Sequence, residues 1–336
     1  MCAIIEKNGD LRNEMKIYFA PLEGVTDEIY RRAHFECFGG PDKYYIPFLS
    51  PTQHFTFSSR EQKAMSPEEN RGIPVVPQVL TKNAEHFNGM AARLKDFGYT
   101  EVNLNAGCPS GTVTAKGKGS GMLRDKAALR LFLDEVFANC PLPVSVKTRI
   151  GYESPEEWDG LIDIYKDYPF SEIILHMRTR EEFYKGRPHI ELTQKAIEAF
   201  SCPVVYNGDV FYREDAEDVT DRFPALSGLM LGRGLVANPA LARVLKGGKQ
   251  AAKEEICTFH DKLYRRYLEA WPENAVIGHM CEIMSYMSCM FENPHKLIKT
   301  LRKSRDLAAY EDNAKRIFDE MPLRDDPGFD LMILKK

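Results

Sequence analysis

The sequence predicts an α/β protein built on a (β/α)8 TIM barrel, followed by a small C-terminal helical bundle. Between Lys16 and Gly234, short apolar runs rich in β-branched residues alternate with stretches of helical periodicity. Most runs are about 25 to 30 residues apart, as expected for a strand, a crossover helix and two loops in a parallel sheet. After Asn238 the strand signals stop, and helical periodicity alone continues to about Met321.

Eight apolar runs mark the predicted barrel strands. Between them, segment 127–137 carries apolar residues at three- and four-residue steps, and Asp125 is its predicted N-cap. Such regular repetition favours a closed barrel over an open doubly wound sheet. The runs are 17–20, 44–49, 75–80, 101–104, 144–147, 173–176, 204–207 and 228–231.

The same pattern predicts four regions along the chain. We expect an N-terminal extension at 1–16, the barrel at 17–240, a helical domain at 241–322 and a tail at 323–336. Breaks at 247–248, 271–272 and 293–294 predict about four helices in the helical domain. The extension lacks the apolar core of a secretory signal, and Met15 is an alternative start.

Composition excludes several classes of protein. Hydrophobic residues make up 43% and charged residues 28%, and no apolar run approaches the roughly 18 residues of a membrane span. The 8 cysteines form no Cys-x-x-Cys pair, which argues against zinc or a disulfide framework and predicts a metal-free cytoplasmic protein. With 45 Lys plus Arg against 49 Asp plus Glu, RNA binding must rest on local basic patches.

Polar residues gather at the C-terminal ends of the predicted strands, the reactive face of such a barrel. Buried polar groups must each find a hydrogen bond, so their convergence predicts a large polar ligand. They are Glu23, Ser50, Gln78, Asn103, Asn105, Cys108, Lys147, Arg149, His176, Arg178, Asn207, Asp209 and Arg233.

The last two strands end in motifs suited to phosphate. Segment 207–209 reads Asn-Gly-Asp and segment 232–234 reads Gly-Arg-Gly. Alone, Gly-Arg-Gly is typical of an ordinary turn, but after the eighth strand it lies where these barrels bind phosphate. No Gly-x-Gly-x-x-Gly opens a βαβ unit, so FMN is favoured over a dinucleotide in a Rossmann site.

Three strand-end residues carry candidate chemistry. Lys147 is interpreted as a cation beside a reduced flavin, with a Schiff-base amine or a surface residue as alternatives. His176 is more often structural when alone, but here a ligand contact is favoured. Cys108 precedes a Gly-rich stretch typical of a lid, and its thiol is a proton donor, a nucleophile or a small buried group.

Together these residues resemble the tRNA-dihydrouridine synthase family. The resemblance runs through the barrel and into the helical tail, and seven ordered motifs at strand ends make it specific. The motifs are APLEGVTD (20–27), PQV (77–79), NAGCP (105–109), VKTR (146–149), HMRTR (176–180), NGD (207–209) and GRG (232–234).

The resemblance implies reduction of uridine in tRNA by FMN, with NADPH as reductant. Hydride would pass from the flavin to C6 of uracil, and Cys108 would protonate C5. Asn105 and Arg178 would bind the substrate. The implied FMN-binding residues are Pro21, Leu22, Glu23, Gln78, Lys147, His176, Asn207, Gly208, Asp209, Gly232 and Arg233.

RNA contacts are expected from basic residues near the lid and in the helical domain. Lys296, Lys299 and Lys303 share one predicted helix face, although such a stripe is often merely solvated. The sequence departs from the family in two places: it lacks a Lys after Cys108-Pro109, and it has Leu22 in place of Met. Lys116 and Lys118 are expected to compensate for the missing Lys.

Two other functions stay open at this point. An FMN barrel oxidoreductase acting on a free pyrimidine or an enone explains the barrel and the flavin, but not the helical tail. A tRNA-binding protein without catalysis explains the tail, but not an intact Cys108, Asn105, Lys147 and Arg178. A monomer is expected, and the modified uridine is not specified.

Overall fold

The computed structural model describes residues 15–52 and 57–331. Within them, nine parallel strands form one sheet in the order β3-β2-β1-β9-β8-β7-β6-β5-β4. The strands are β1 (Lys16–Phe19), β2 (Lys43–Tyr45), β3 (Val75–Val76), β4 (Gln78–Val79), β5 (Val102–Ala106), β6 (Val144–Arg149), β7 (Glu172–His176), β8 (Val204–Asn207) and β9 (Gly228–Leu231).

Pro77 explains why eight predicted runs become nine strands. It alone separates β3 from β4, and proline has no N–H to donate to a strand ladder. Ile46 N–H donates to Val76 O at 3.0 Å on one side, and Asn103 N–H donates to Pro77 O at 2.9 Å on the other. One interrupted strand therefore joins β2 to β5 and closes the sheet, so the predicted (β/α)8 barrel is confirmed.

Helices follow the strands around the barrel. Asp125 is the N-cap of α5, because its Oδ1 accepts a 2.9 Å hydrogen bond from Ala128 N–H, as predicted. The helices of this part of the chain are α1 (Glu28–Cys37), α2 (Ser59–Ala64), α3 (Ala84–Asp96), α4 (Gly111–Thr114), α5 (Lys126–Asn139), α6 (Trp158–Tyr165), α7 (Thr193–Ala199), α8 (Arg213–Arg222) and α9 (Arg233–Ala237).

The predicted C-terminal helical region is confirmed, with one more break than expected. The last predicted segment divides at 302–306, because Asp306 caps a new helix by accepting a 2.8 Å hydrogen bond from Ala309 N–H. In the described chain the helices are α10 (Leu241–Leu245), α11 (Lys253–Ala270), α12 (Glu273–Met287), α13 (His295–Leu301) and α14 (Leu307–Glu320).

Helix α11 anchors the helical region to α1 of the barrel. The Phe259 ring lies 5.4 Å from Tyr30 and 5.2 Å from Phe38, centroid to centroid. Tyr267 O–H donates a 2.8 Å hydrogen bond to Asp27 Oδ1. Apolar side chains of the barrel and of the helical region belong to one buried cluster, so the helices are held rigidly beside the barrel mouth. Across the described residues, none of the helices has the length and apolar character to span a membrane.

Candidate active site

A cavity of about 540 Å³ opens at the C-terminal ends of the barrel strands. This volume suits a small ligand or cofactor. Of the barrel residues predicted to bind FMN or the substrate or to act in catalysis, all but Arg178 line it. They are Pro21, Leu22, Glu23, Gln78, Asn105, Cys108, Lys147, His176, Asn207, Gly208, Asp209, Gly232 and Arg233.

Cys108 is held at the cavity by the side chain of Asn105. Asn105 Oδ1 accepts hydrogen bonds from Cys108 N–H at 2.9 Å and from Gly107 N–H at 3.1 Å, closing a turn directly after β5. Burial raises the pKa of the Cys108 thiol above 9.0, against the opposing effects of the Ser110 backbone and Arg149. The thiol is therefore protonated at neutral pH and is able to donate a proton.

The Gly-rich stretch after Cys108 is folded against the barrel rather than being an open lid. Ser120 donates to the Cys108 carbonyl from both Oγ, at 2.8 Å, and N–H, at 3.1 Å. Gly119 has φ +58°, and a Cβ there would lie 2.8 Å from Cys108 O; one at Gly121 would lie 2.9 Å from Thr114 O. Close packing accounts for these glycines, which the sequence associated with mobility.

Lys147 is a half-buried lysine in the lining of the cavity. Its Nζ donates a 2.7 Å hydrogen bond to Asn207 Oδ1, and Asn207 Nδ2 donates to Met230 O at 2.7 Å, which fixes the amide orientation. Burial, followed by the charge of Arg149, lowers the pKa of Lys147 from 10.5 to about 7. Burial and the surrounding cations lower the pKa of His176 well below 6.5, so this imidazole is neutral.

Arg149 is a cavity residue that the sequence placed on the rim without a role. Its Nε donates to Gly107 O at 2.9 Å, and its Nη1 donates to Thr179 O at 2.7 Å and to Phe183 O at 2.9 Å. It thereby ties the Cys108 turn to the loop after β7. Tyr184 of this loop also lines the cavity, with its ring 5.6 Å from the Arg149 guanidinium. An aromatic residue in the loop after a strand end was the available signal for it.

Asp209 joins two arginines at the rim. Arg233 Nη2 donates to Asp209 Oδ1 at 2.8 Å. Arg178 also pairs with Asp209, and its guanidinium donates to Lys185 O at 3.2 Å and Gly186 O at 2.7 Å. Arg178 is fully buried by these partners and does not line the cavity, unlike the other residues predicted to bind FMN or the substrate.

Two other predicted rim residues also lie away from the cavity lining. Asn103 is fully buried inside the barrel. Ser50 N–H donates to Glu61 Oε1 at 2.8 Å.

The outer wall of the cavity comes from parts of the chain that sequence reasoning did not assign. Glu282 and Tyr286 reach it from α12, and Phe329 from the tail. The Phe329 ring lies 4.8 Å from Phe211 and 4.8 Å from the Arg233 guanidinium. Only the packing of α12 and the tail against the barrel brings these residues to the mouth, and no motif marks them.

The predicted RNA-binding lysines lie on the surface in two places. Lys116 is exposed beside half-buried Lys118, whose pKa is lowered by partial burial, then by Lys116 and Lys82. Lys296 and Lys299 are exposed on α13, opposite buried Ile298 and Leu301. Lys303 is also exposed, but it follows the end of α13, which is shorter than predicted.

The residues present fit an anionic flavin cofactor. The half-buried Lys147 amine, whose described hydrogen-bond partner is a neutral amide, favours an anionic ligand. Arg149 and Arg233 add positive charge along the lining, and aromatic side chains supply apolar surface. Within the described part of the chain, no group of three or more His, Cys, Asp or Glu side chains is placed to hold a metal ion.

The closed barrel and the basic side chains in the lining of its cavity are typical of an α/β-barrel enzyme that takes an anionic, partly aromatic ligand. Comparison with known proteins narrows this class. The model of the dihydrouridine synthase family matches residues 18–321. The chain therefore belongs to the tRNA-dihydrouridine synthase family and is a flavin-dependent oxidoreductase.

Individual relatives agree with this assignment. A probable tRNA-dihydrouridine synthase of Staphylococcus aureus is 30% identical over 261 residues, 74% of this chain and 77% of that protein. One of Staphylococcus epidermidis is 31% identical over 230 residues, 66% of this chain and 68% of that protein. Morphinone reductase shares the fold, with a TM-score of 0.52 at 12% identity, over 73% of this chain and 88% of that one.

Proposed function

We propose that this enzyme reduces the C5=C6 bond of a specific uridine in tRNA, with FMN as bound cofactor and NADPH as reductant. The observation that carries the proposal is that Cys108 lines the same cavity as Lys147 and Arg149. This cavity would hold a general acid beside a reduced, negatively charged ring. Both are needed to add a hydride and a proton across one double bond.

The C5=C6 bond of uracil is conjugated with the C4 carbonyl. FMN, when bound and reduced by NADPH, would supply a hydride for C6. Negative charge then develops at C5 and on the C4 oxygen, and Cys108 donates its proton to C5. The thiolate regains a proton from solvent, so the uridine gains one hydride and one proton and no covalent adduct remains.

The proposed cofactor site divides into a ring end and a phosphate end. Lys147, oriented by Asn207, would balance the negative charge of the reduced ring, and neutral His176 would offer a hydrogen bond. Gly232 and Arg233, at the start of α9, would bind the phosphate. The predicted contacts of Pro21, Leu22, Glu23, Gln78, Gly208 and Asp209 with FMN belong to the same proposal.

Arg178 has a different place in the proposal from the one that the sequence suggested. Its guanidinium is fully buried among Asp209 and two backbone carbonyls, so direct contact with uracil is not supported. We therefore assign it a positioning role through Asp209. Asn105, which lines the cavity beside Cys108, keeps its proposed contact with the target base.

A base in folded tRNA must leave its stack to reach this cavity, at a cost of a few kcal/mol that contacts to the RNA backbone must offset. We propose that the 241–322 domain supplies them through Lys296, Lys299 and Lys303, with Lys116 and Lys118 beside the mouth. The boundaries 17–240 for the catalytic domain and 323–336 for the tail stay predictions. The monomeric state and the cytoplasmic location also stay predictions.

Purification and tRNA mapping test the proposal directly. We expect the purified protein to be yellow and to release FMN on denaturation, and tRNA from a deletion strain to lack one dihydrouridine. Incubating that tRNA with enzyme and NADPH should restore it. Absence of flavin contradicts the cofactor assignment. Turnover of free uracil or uridine, without turnover of tRNA, favours the alternative of an oxidoreductase for small pyrimidines.

A further inference from the structure

The interior of the barrel contains a row of polar side chains where branched apolar residues are usual. Glu101, Asn103 and Asn105 alternate along the β5 segment and therefore share its inward face. Asn103, Ser145 and Gln78 are completely buried. Buried polar groups need hydrogen-bond partners, and these residues find them in one another.

The partners form a single chain from the N-terminal floor of the barrel to the cavity, which we call the amide relay. It consists of Glu101, Ser145, Asn103, Gln78 and Asn105. Lys43 Nζ donates to Glu101 Oε2 at 2.8 Å at the floor. The links are Ser145 O–H to Glu101 Oε1 at 2.6 Å, Asn103 Nδ2 to Ser145 Oγ at 2.9 Å, Gln78 Nε2 to Asn103 Oδ1 at 2.8 Å and Asn105 Nδ2 to Gln78 Oε1 at 2.7 Å.

Both ends of the relay dictate the same direction. At the cavity, the backbone N–H groups of Gly107 and Cys108 only donate, so the atom of Asn105 that faces them must be its carbonyl oxygen. Asn105 Nδ2 must then donate inward, and each later amide repeats that orientation. At the floor, the Glu101 carboxylate, which is paired with Lys43, accepts the last hydrogen bond of the relay. No link places two donors or two acceptors against each other.

We propose that the amide relay fixes the hydrogen-bonding direction of Asn105, so that Glu101, Ser145 and Asn103 are positioning residues for a side chain at the active site. Asn105 Oδ1 already accepts two hydrogen bonds, and Nδ2 uses one of its two N–H groups to donate a hydrogen bond to Gln78. The group that Asn105 offers to a bound ring is therefore an N–H donor.

A donor at this position has a consequence for the choice of base, which rests on the proposed function. Uracil carries carbonyl oxygens at C2 and C4, whereas cytosine carries an amino group at C4. A fixed N–H donor facing position 4 of the ring would pair with the uracil oxygen and would oppose the cytosine amino group. Through the relay, Glu101 at the floor of the barrel thus contributes to the selection of uridine.

Asn105→Asp should reverse the relay. A carboxylate at 105 only accepts, so Gln78 must turn its amide nitrogen toward it, and Asn103 must turn in the same way. The carbonyl of Asn103 then competes with Glu101 for the single hydroxyl proton of Ser145. Glu101→Gln resolves this conflict, because the new amide nitrogen donates to Ser145 Oγ while its oxygen still accepts from Lys43.

The test is a double-mutant cycle on the unfolding of the full chain in urea. We expect Asn105→Asp/Glu101→Gln to unfold with an equilibrium constant about tenfold lower than the two single variants predict by addition. Glu172→Gln is the matched control. Glu172 shares Lys43 with Glu101 at the floor but bonds Tyr18 and Tyr45 instead of the relay, so it should combine additively with Asn105→Asp. Additive behaviour of the Glu101 pair overturns the proposal.

A second measurement keeps the test decisive if Asn105→Asp does not fold. Ser145→Ala removes the acceptor of Asn103 Nδ2, and Ser145→Thr keeps a hydroxyl. We expect alkylation of Cys108 by iodoacetamide to be about threefold or more faster in Ser145→Ala, because the turn held by Asn105 loosens, and to return toward the wild-type rate in Ser145→Thr. Equal rates in all three proteins contradict the relay.

The selection of uridine is tested with two tRNA transcripts, one with uridine and one with cytidine at the position that the wild-type enzyme modifies. We expect wild-type enzyme to bind the uridine transcript about tenfold more tightly, and Asn105→Asp to lose that preference. Equal binding by wild-type enzyme overturns the donor assignment. If the wild-type protein binds no flavin or forms no dihydrouridine, the proposed function is refuted instead. The double-mutant unfolding cycle still tests the relay in that case.

Discussion

Lys147 Nζ donates a 2.7 Å hydrogen bond to Asn207 Oδ1, so the amine of this half-buried lysine rests on a neutral amide. Burial without a paired carboxylate is costly for a charged group, and the lowered pKa of Lys147 reflects that cost. An anionic ligand in the cavity would stabilise the charged form. The predictions about this residue concern both the bound ligand and the ligand-free protein.

Lys147→Met should weaken FMN binding by about tenfold or more, because a charge-assisted contact to an anionic ligand is lost. Quenching of flavin fluorescence on titration with apoprotein measures the dissociation constant. Lys195→Met is a suitable control, since Lys195 is an exposed partner of Asp159 far from the cavity lining. Unchanged FMN affinity in Lys147→Met removes this residue from the cofactor site.

The same substitution should stabilise the ligand-free protein at pH 7. A lowering of the pKa from 10.5 to about 7 corresponds to at most about 5 kcal/mol. The unfolded chain binds the extra proton between these two values, so the free energy of unfolding rises with pH there; below pH 7 the penalty is fully present. Lys147→Met should flatten this rise in the free energy of unfolding between pH 7 and 10, which urea unfolding measures. A slope as steep as that of wild type would contradict the assignment.

Cys108→Ala should retain FMN and lose dihydrouridine formation by a factor of about 10² or more, which is the usual contribution of a general acid. Because burial raises the pKa of the thiol, alkylation of Cys108 should be slow at pH 7 and accelerate only above about pH 9. Single-turnover assays and mass spectrometry measure the two effects. Cys202→Ala, at another partly buried thiol outside the cavity, should leave turnover unchanged. Full activity of Cys108→Ala rules out the acid role.

Arg178→Met should destabilise the fold by about 3 kcal/mol, because it leaves the carbonyls of Lys185 and Gly186 without their donor and removes a buried partner of Asp209. Urea unfolding gives the loss. Arg130→Met, which breaks the exposed pair with Asp167, should have a much smaller effect on the free energy of unfolding. If Arg178→Met unfolds like wild type but binds tRNA more weakly, a direct substrate contact is the better explanation.

Lys296→Glu/Lys299→Glu should weaken tRNA binding and reduce the salt dependence of the affinity by about two phosphate contacts. Filter binding over a range of salt concentrations measures this slope. FMN affinity should not change, because both lysines are exposed on α13 and neither lines the cavity. Lys166→Glu/Lys195→Glu, at two exposed lysines of the barrel surface, is the matched double charge reversal. Equal losses in both variants would show a general charge effect instead of an RNA surface on α13.

Local signals were sufficient for the barrel and for most of its mouth. The alternation of apolar runs and amphipathic stretches predicted the strands, and the rule that reactive residues follow strand ends predicted the cavity position of Cys108, Lys147 and His176. The split of the third strand at Pro77 was not predicted. The missing N–H of Pro77 interrupts the strand ladder only in the context of the neighbouring strands, which the sequence does not specify. The break at Asp306 was overlooked because its cap interrupts a stretch that is otherwise helical in composition.

The sequence by itself determined the parallel barrel and the residues at strand ends, since both depend on spacing along the chain, and its motifs carried the family resemblance. Only the tertiary structure decided that Arg178 turns away from the cavity and pairs with Asp209. It likewise decided that Glu282, Tyr286 and Phe329 complete the wall of the cavity. It also decided that Glu101 reaches Asn105 through three intervening side chains. These relationships join separate strands and helices, and side-chain direction and hydrogen-bond polarity become definite only when the elements are packed.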